Sequence, residues 1–233
     1  MNKNFYKFYL YLFSISIIYF LMFFGFYLAT FIDKNYLYTL VLKYKTYNNL
    51  PFELSLDEIK LICEELMLYI SSKIPFLDTN VSINGVVQDF YSVRSKIHMS
   101  DVRILIQNFL YGSYFAVAIC IFTFFKFKNI DSILYKVKKA FFKTLIVIGS
   151  VFATIIIIAS INFDYFFIKF HETLFNNDLW LLDPNTDYII CLLPENIFME
   201  YGIRISIFII ILLSLASLSL LLLSKIQLRQ EAK

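Results

Sequence analysis

The chain has 233 residues, 59% of them apolar, with only five glycines and four prolines and a formal net charge of +3. That composition points away from an ordinary soluble domain and to the membrane class. The small positive charge is no nucleic-acid signature, because the basic residues fall where membrane topology puts them.

Four stretches lack Asp, Glu, Lys and Arg: residues 8–32, 104–125, 144–163 and 205–224. Each is long enough to cross a hydrocarbon layer of about 30 Å as a helix rising about 1.5 Å per residue. Residues 1–7, 126–143 and 225–233 carry 11 of the 21 Lys and Arg residues in 34 positions. Basic residues near span ends stay on the cytoplasmic side, so the six-lysine loop 126–143 and both termini are expected in the cytoplasm. The first stretch exceeds a usual signal-peptide core, and Leu28-Ala29-Thr30 is a poor cleavage site, so it reads as an uncleaved anchor. No cysteine follows it closely, so the chain itself does not read as a lipoprotein. The expected architecture is an all-α polytopic membrane protein: four transmembrane helices with a small strand-containing extracytoplasmic layer built from residues 33–103 and 164–204.

Within 33–103, Ser55 and Glu58 have the spacing of a capping box, in which side chains satisfy first-turn N–H groups. Leu56, Ile59, Cys63, Leu66 and Ile70 follow at helical spacing, which predicts an amphipathic helix over 56–70. Asn84-Gly85 lies between short β-branched runs and tolerates the positive φ angles of a type I′ hairpin. In the second outer segment, Asp183-Pro184-Asn185-Thr186-Asp187 reads as a turn. Tyr188 to Leu193 reads as a short strand, and Pro194-Glu195 as the first turn of the helix entering the fourth span. Cys63 and Cys191 both fall in outer segments, where they read as two unpaired thiols although pairing is open; Cys120 lies inside the second span.

The chain has two histidines, and each sits beside an outer membrane boundary. His98 precedes the second span and His171 follows the third, so antiparallel spans bring both imidazoles to one leaflet. If the second helix extends back to residue 94, then Arg94, His98 and Asp101 share a face. A carboxylate beside an imidazole fixes its tautomer and raises its basicity, which suits a general base. An interfacial charge cluster at a helix start is the plainer reading of the same residues. Trp180, alone, reads as a membrane-belt anchor. A metal reading of the histidines with Asp101, Glu172, Asp183 and Asp187 lacks the second histidine of H-E-x-x-H and any zinc-spaced cysteine pair, so no metal is expected. Neither a nucleophile elbow nor a phosphate-binding loop is present.

Phe90-Tyr91-Ser92, the run His98-Met99-Ser100-Asp101-Val102-Arg103, and then Phe170-His171, Phe175, Trp180, Leu182-Asp183-Pro184, Thr186-Asp187 and Pro194-Glu195 resemble the bacterial lipoprotein intramolecular transacylase family. The likeness covers nearly the whole chain. It departs at Val93 and Ser95, which flank Arg94 where the family pattern has acidic residues. The resemblance implies transfer of the sn-2 acyl chain of a diacylglyceryl-modified lipoprotein to the α-amine of its N-terminal cysteine, in the bacterial cytoplasmic membrane, without a cofactor. It implies His98 and His171 as an acid/base pair, Arg103 or Arg94 assisting at the oxyanion, and Asp101 orienting. Trp180, Asp183, Asp187 and Glu195 are carried over as substrate-binding or structural residues. Membrane lipid is an expected partner and nucleic acid is not. The reading from a different class, motivated by the amphipathic helix, is a non-catalytic membrane protein that binds exported peptides.

Overall fold

The computed structural model describes residues 3–127 and 132–231. Residues 1–2, 128–131 and 232–233 of the basic ends and loop lie outside the described residues, Lys128 and Asp131 among them. The elements run α1 (Lys3–Phe31), α2 (Tyr36–Tyr44), a 3-10 turn (Thr46–Asn49), α3 (Leu56–Ile70), β1 (Asn80–Ile83), β2 (Val86–Asp89), α4 (Val93–Phe127), α5 (Ile133–Ile161), α6 (Phe163–Leu174), α7 (Ile189–Leu192) and α8 (Glu195–Glu231). The helices α1, α4, α5 and α8 are long and apolar enough to cross a membrane. The fold is therefore that of a helical, multi-pass membrane protein with one small antiparallel sheet.

Two compact units divide the chain. The first holds Met1–Leu28, Phe109–Ile158 and Ile205–Lys233. Leu10, Phe127, Val137 and Ala140 form a buried cluster there, edged by Tyr6, Phe13 and Leu220. Small residues let its helices approach closely, as membrane packing favours. The Tyr19 hydroxyl donates to the Phe109 carbonyl at 3.1 Å, and a Cβ at Gly112 would collide with that hydroxyl.

The second unit holds Ala29–Asn108 and Ala159–Arg204. The Ser55–Glu58 capping box forms in both directions and starts α3, whose buried face carries Ile59, Ile62, Cys63 and Leu66. Asn84 and Gly85 take φ values of 52° and 83°, so the hairpin joining β1 to β2 turns where these residues tolerate the left-handed region. Phe90 is fully buried and meets Tyr91 edge to face, while the Tyr91 hydroxyl donates to the Ile62 carbonyl at 3.0 Å. Cys63 and Cys191 are separate, buried free thiols.

Three sequence expectations need correction or extension. Residues 188–193 do not form a strand: Ile189–Leu192 is the short helix α7. Ile190 N–H donates to Asp187 O at 3.2 Å and Cys191 N–H to Tyr188 O at 3.1 Å, so the preceding turn continues into helical pairing. Six apolar residues carry no period that separates a buried strand from a buried helical turn. The segment 163–174, unassigned from sequence, is α6, capped by Asn162, whose side-chain oxygen accepts from Tyr165 N–H at 2.9 Å. The lysine-rich stretch 126–143 is helical from Ile133 onward, because α5 begins well before its charge-free portion.

Candidate active site

Both histidines belong to the second unit, and the local structure around each explains its position. α4 begins at Val93, about three turns ahead of its charge-free stretch, so His98 sits on a polar extension beside Arg94, Lys96 and Asp101. Ser92 caps this helix, its hydroxyl accepting from Ser95 N–H at 3.0 Å. His171 lies in the last turn of α6. The two rings meet with centroids 5.8 Å apart at 42°, and each is buried, His98 at 5% and His171 at 7% exposure.

Aromatic side chains enclose the pair. Phe175 stands edge-on to His98 with centroids 5.2 Å apart, and Phe167 lies 4.2 Å from His171. Trp180 stacks on His171 at 5.0 Å and 30°. Phe167 in turn packs on Phe198 of α8 at 5.1 Å. Such walls exclude water and penalise charge on the rings.

The electrostatics follow. Burial, then the neighbouring His171, push His98 down to about 4, against the opposing pull of Asp101. Burial likewise lowers His171, partly offset by its hydrogen bond to a backbone carbonyl. Both rings are thus neutral near pH 7. His171 Nδ1 lies 2.7 Å from Phe167 O, an acceptor only, so Nδ1 carries the hydrogen and Nε2 keeps a free lone pair. His98 Nδ1 is buried without a hydrogen-bond partner among the described residues. An orphaned buried nitrogen costs about 1–3 kcal/mol, and such costs collect at working sites.

The supporting residues divide into those that hold this geometry and those that lie elsewhere. Arg94 donates from Nε to Leu181 O at 3.1 Å and from its terminal nitrogen to Asp178 O, with the Asp178 carboxylate 3.6 Å away. It thereby clamps the turn that carries Trp180. Asp187, 1% exposed, accepts from the Ser92 hydroxyl and from Asp183 N–H, the latter at 2.9 Å, and so fastens the 183–187 turn to the start of α4. Asp183 accepts from Asn185 N–H at 2.9 Å, closing the turn expected there. Asp101 does not hydrogen-bond His98; its carboxylate accepts from Asn177 at 2.9 Å. Arg103 is not beside the histidines. An α-helix advances about 100° per residue, so a side chain five positions past His98 points about 140° away. It stacks on Tyr69 and donates to Ser72 Oγ, Ile74 O and Pro75 O, each at 3.2 Å. Glu195, in the first turn of α8, shares a hydrogen bond with Asp164 of α6.

Among the described residues no group of three His, Cys, Asp or Glu side chains is placed to hold a metal ion. Residues that the sequence did not single out complete the site: Phe167, Asn177, Asp178 and Phe198. Asn162 before an amphipathic run was the available signal for α6 and hence for Phe167. The partnerships of Asn177 and Asp178 span 76 and 84 residues and leave no local trace.

What this arrangement offers is a neutral base, a second imidazole at contact distance, and a dry aromatic enclosure. The chain's similarity to known proteins agrees with acyl-transfer chemistry. No curated protein sequence matches it. Its fold matches the in meso structure of the membrane integral lipoprotein intramolecular transacylase Lit from Bacillus cereus, with 23% identity, a TM-score of 0.71, and coverage of 99% of each chain. Histidine-to-arginine and histidine-to-alanine variants of that Bacillus cereus protein match with 22% identity and TM-scores of 0.67 and 0.68. They cover 98% of this chain and 94% and 96% of theirs. The model of the lipoprotein intramolecular transacylase Lit family matches residues 11–198. That match takes in both histidines and every side chain described around them, and the chain belongs to the lipoprotein intramolecular transacylase family.

Proposed function

We propose that the chain moves the sn-2 acyl chain of a diacylglyceryl-modified lipoprotein to the α-amine of that lipoprotein's N-terminal cysteine, giving the lyso form. The observation that carries this reading is the contact of His98 with His171, whose Nε2 is left free by the bond from Nδ1 to Phe167 O. An N-terminal amine titrates near pH 7.7–8.0 and attacks an ester only when neutral. His171 Nε2 takes the amine proton as nitrogen bonds to the sn-2 carbonyl carbon. The resulting tetrahedral oxyanion is met by N–H donation from the His98 side. Collapse breaks the bond to the sn-2 glyceryl oxygen, and His171 returns its proton to that alkoxide. An amide and a free hydroxyl result, with no cofactor and no enzyme-bound acyl group.

Amine and ester belong to one molecule, so holding them in near-attack geometry supplies a large effective concentration. Burial keeps both rings in the neutral form, the one that can accept a proton, while weakening them as bases. Arg94 acts through the turn that places Trp180. Asp101 acts at one remove, through Asn177. Lysine distribution supports a chain with both termini cytoplasmic and the histidine pair at the outer leaflet, where exported lipoproteins display the modified cysteine. Membrane lipid surrounds the spans, and nucleic acid has no part.

Mass spectrometry of lipoprotein N-termini tests the reading, in cells whose only N-acylating enzyme is this chain. Production of N-acyl, S-monoacylglyceryl cysteine that requires both His98 and His171 is expected. Unchanged N-termini would favour a peptide-binding membrane protein instead.

A further inference from the structure

Most lysines of the second unit face carboxylates. Lys43 meets Glu200, Lys96 bridges Asp78 and Asp89, Lys169 pairs with Glu172, and Lys60 lies 3.8 Å from Glu64. Lys34, Lys45 and Lys73 have no carboxylate partner among the described residues, and of these Lys34 and Lys73 line one cleft of about 270 Å³. Its apolar side is Phe31, Met67 and Leu68, and Glu64 completes the polar rim. The Glu64 carboxylate faces Lys60, which leaves the cleft with a positive balance.

Two further observations locate this cleft. α1 ends at Phe31 and its charge-free stretch at Ile32, so Lys34 stands two residues beyond the apolar run, at the depth where headgroups lie. Lys73 is not on a loose loop. Its N–H donates to Leu68 O at 2.9 Å, and Arg103 holds the carbonyls of the next two residues, Ile74 and Pro75. Two lysines thus line an apolar cleft at a membrane boundary, the backbone of one of them fixed in place.

We propose that this cleft binds the phosphodiester headgroup of an anionic phospholipid, its phosphate between Lys34 and Lys73 and its glycerol backbone against Phe31, Met67 and Leu68. A free phosphate would use the two charges but leave the apolar side wet, so the lipid is the better-matched occupant.

The test uses the full chain, purified in detergent and stripped of lipid, titrated with short-chain phosphatidylglycerol and read by native mass spectrometry. Saturable binding is expected. Replacing one lysine by glutamine should weaken it about fivefold, and the Lys34→Gln, Lys73→Gln double variant by at least tenfold. Glu64→Gln should tighten binding severalfold, a gain that misfolding cannot mimic. Phosphatidylcholine of equal chain length should bind at least tenfold more weakly, and inorganic phosphate should fail to compete. Equal binding of the two lipids, competition by inorganic phosphate, or affinities unmoved in both the lysine variants and Glu64→Gln would overturn the proposal.

Discussion

His171 Nδ1 sits 2.7 Å from the Phe167 carbonyl oxygen, one helical turn earlier in α6, and this bond selects which ring nitrogen is free to take a proton. Asparagine at 171 places an amide N–H near the Nδ1 position but nothing at Nε2. His171→Asn is therefore expected to keep its melting temperature within a few degrees while losing at least about 100-fold in rate, the usual worth of a positioned base. Rate and unfolding measured on the same preparation check it. A variant with near-normal rate would remove Nε2 from the chemistry.

Because burial holds both imidazoles below their usual range, the rate should show no fall-off near pH 6.5 that belongs to the enzyme. It should rise with pH and level off above about pH 8, following the substrate amine. Stability carries the complementary sign. A histidine whose folded value is depressed contributes stability that is present above pH 6.5 and lost as pH falls toward its folded value, about 4 for His98. The loss is on the order of 3 kcal/mol at most. Thermal unfolding in detergent between pH 7 and 4 should show this decline, and His98→Phe should flatten it.

Arg94 and Arg103 should separate cleanly. Arg94→Ala frees the turn bearing Trp180 and should cost about tenfold in rate, roughly 1.4 kcal/mol of barrier. Lysine there should not restore it, because a point charge cannot hold two carbonyls in the guanidinium fork. Arg103→Ala should instead lower the melting temperature while activity stays within a few-fold, since its contacts are Tyr69 and the 72–75 loop. Measuring both readouts on both variants distinguishes the roles.

Asp187→Ala removes the buried carboxylate that accepts from the half-buried Ser92 hydroxyl and from the Asp183 N–H. A destabilisation of about 2–3 kcal/mol is expected, with Asp187→Asn intermediate because its carbonyl still accepts one bond. Chemical or thermal unfolding in detergent checks the order of the three proteins.

Features written in adjacent residues were legible from the sequence. Ser55 with Glu58 announced α3, Asn84-Gly85 the hairpin, and the charge-free stretches the four long helices. The proximity of His98 to His171 followed from counting spans. What failed was decided at a distance. Tyr188 to Leu193 looks strand-like in isolation, but the turn fastened by Asp187 feeds it into helical pairing. Asp101 looked like a partner for His98 on its own helix, yet Asn177, far along the chain, takes its carboxylate. Arg103 was named by the resemblance and not by helix geometry: the angular arithmetic that pairs Arg94 with His98 turns Arg103 toward Tyr69 and the 72–75 loop.

The bond between Ser92 and Asp187 joins positions 95 residues apart, with α4, α5 and α6 between them. A chain stopped short of residue 187 holds both histidines, Phe167, Phe175 and Trp180 but lacks the bond that fastens the 183–187 turn to the start of α4. The turn that carries Trp180 is therefore expected to be pinned to the start of α4 only after residue 187 has been made, once α4, α5 and α6 are already in place.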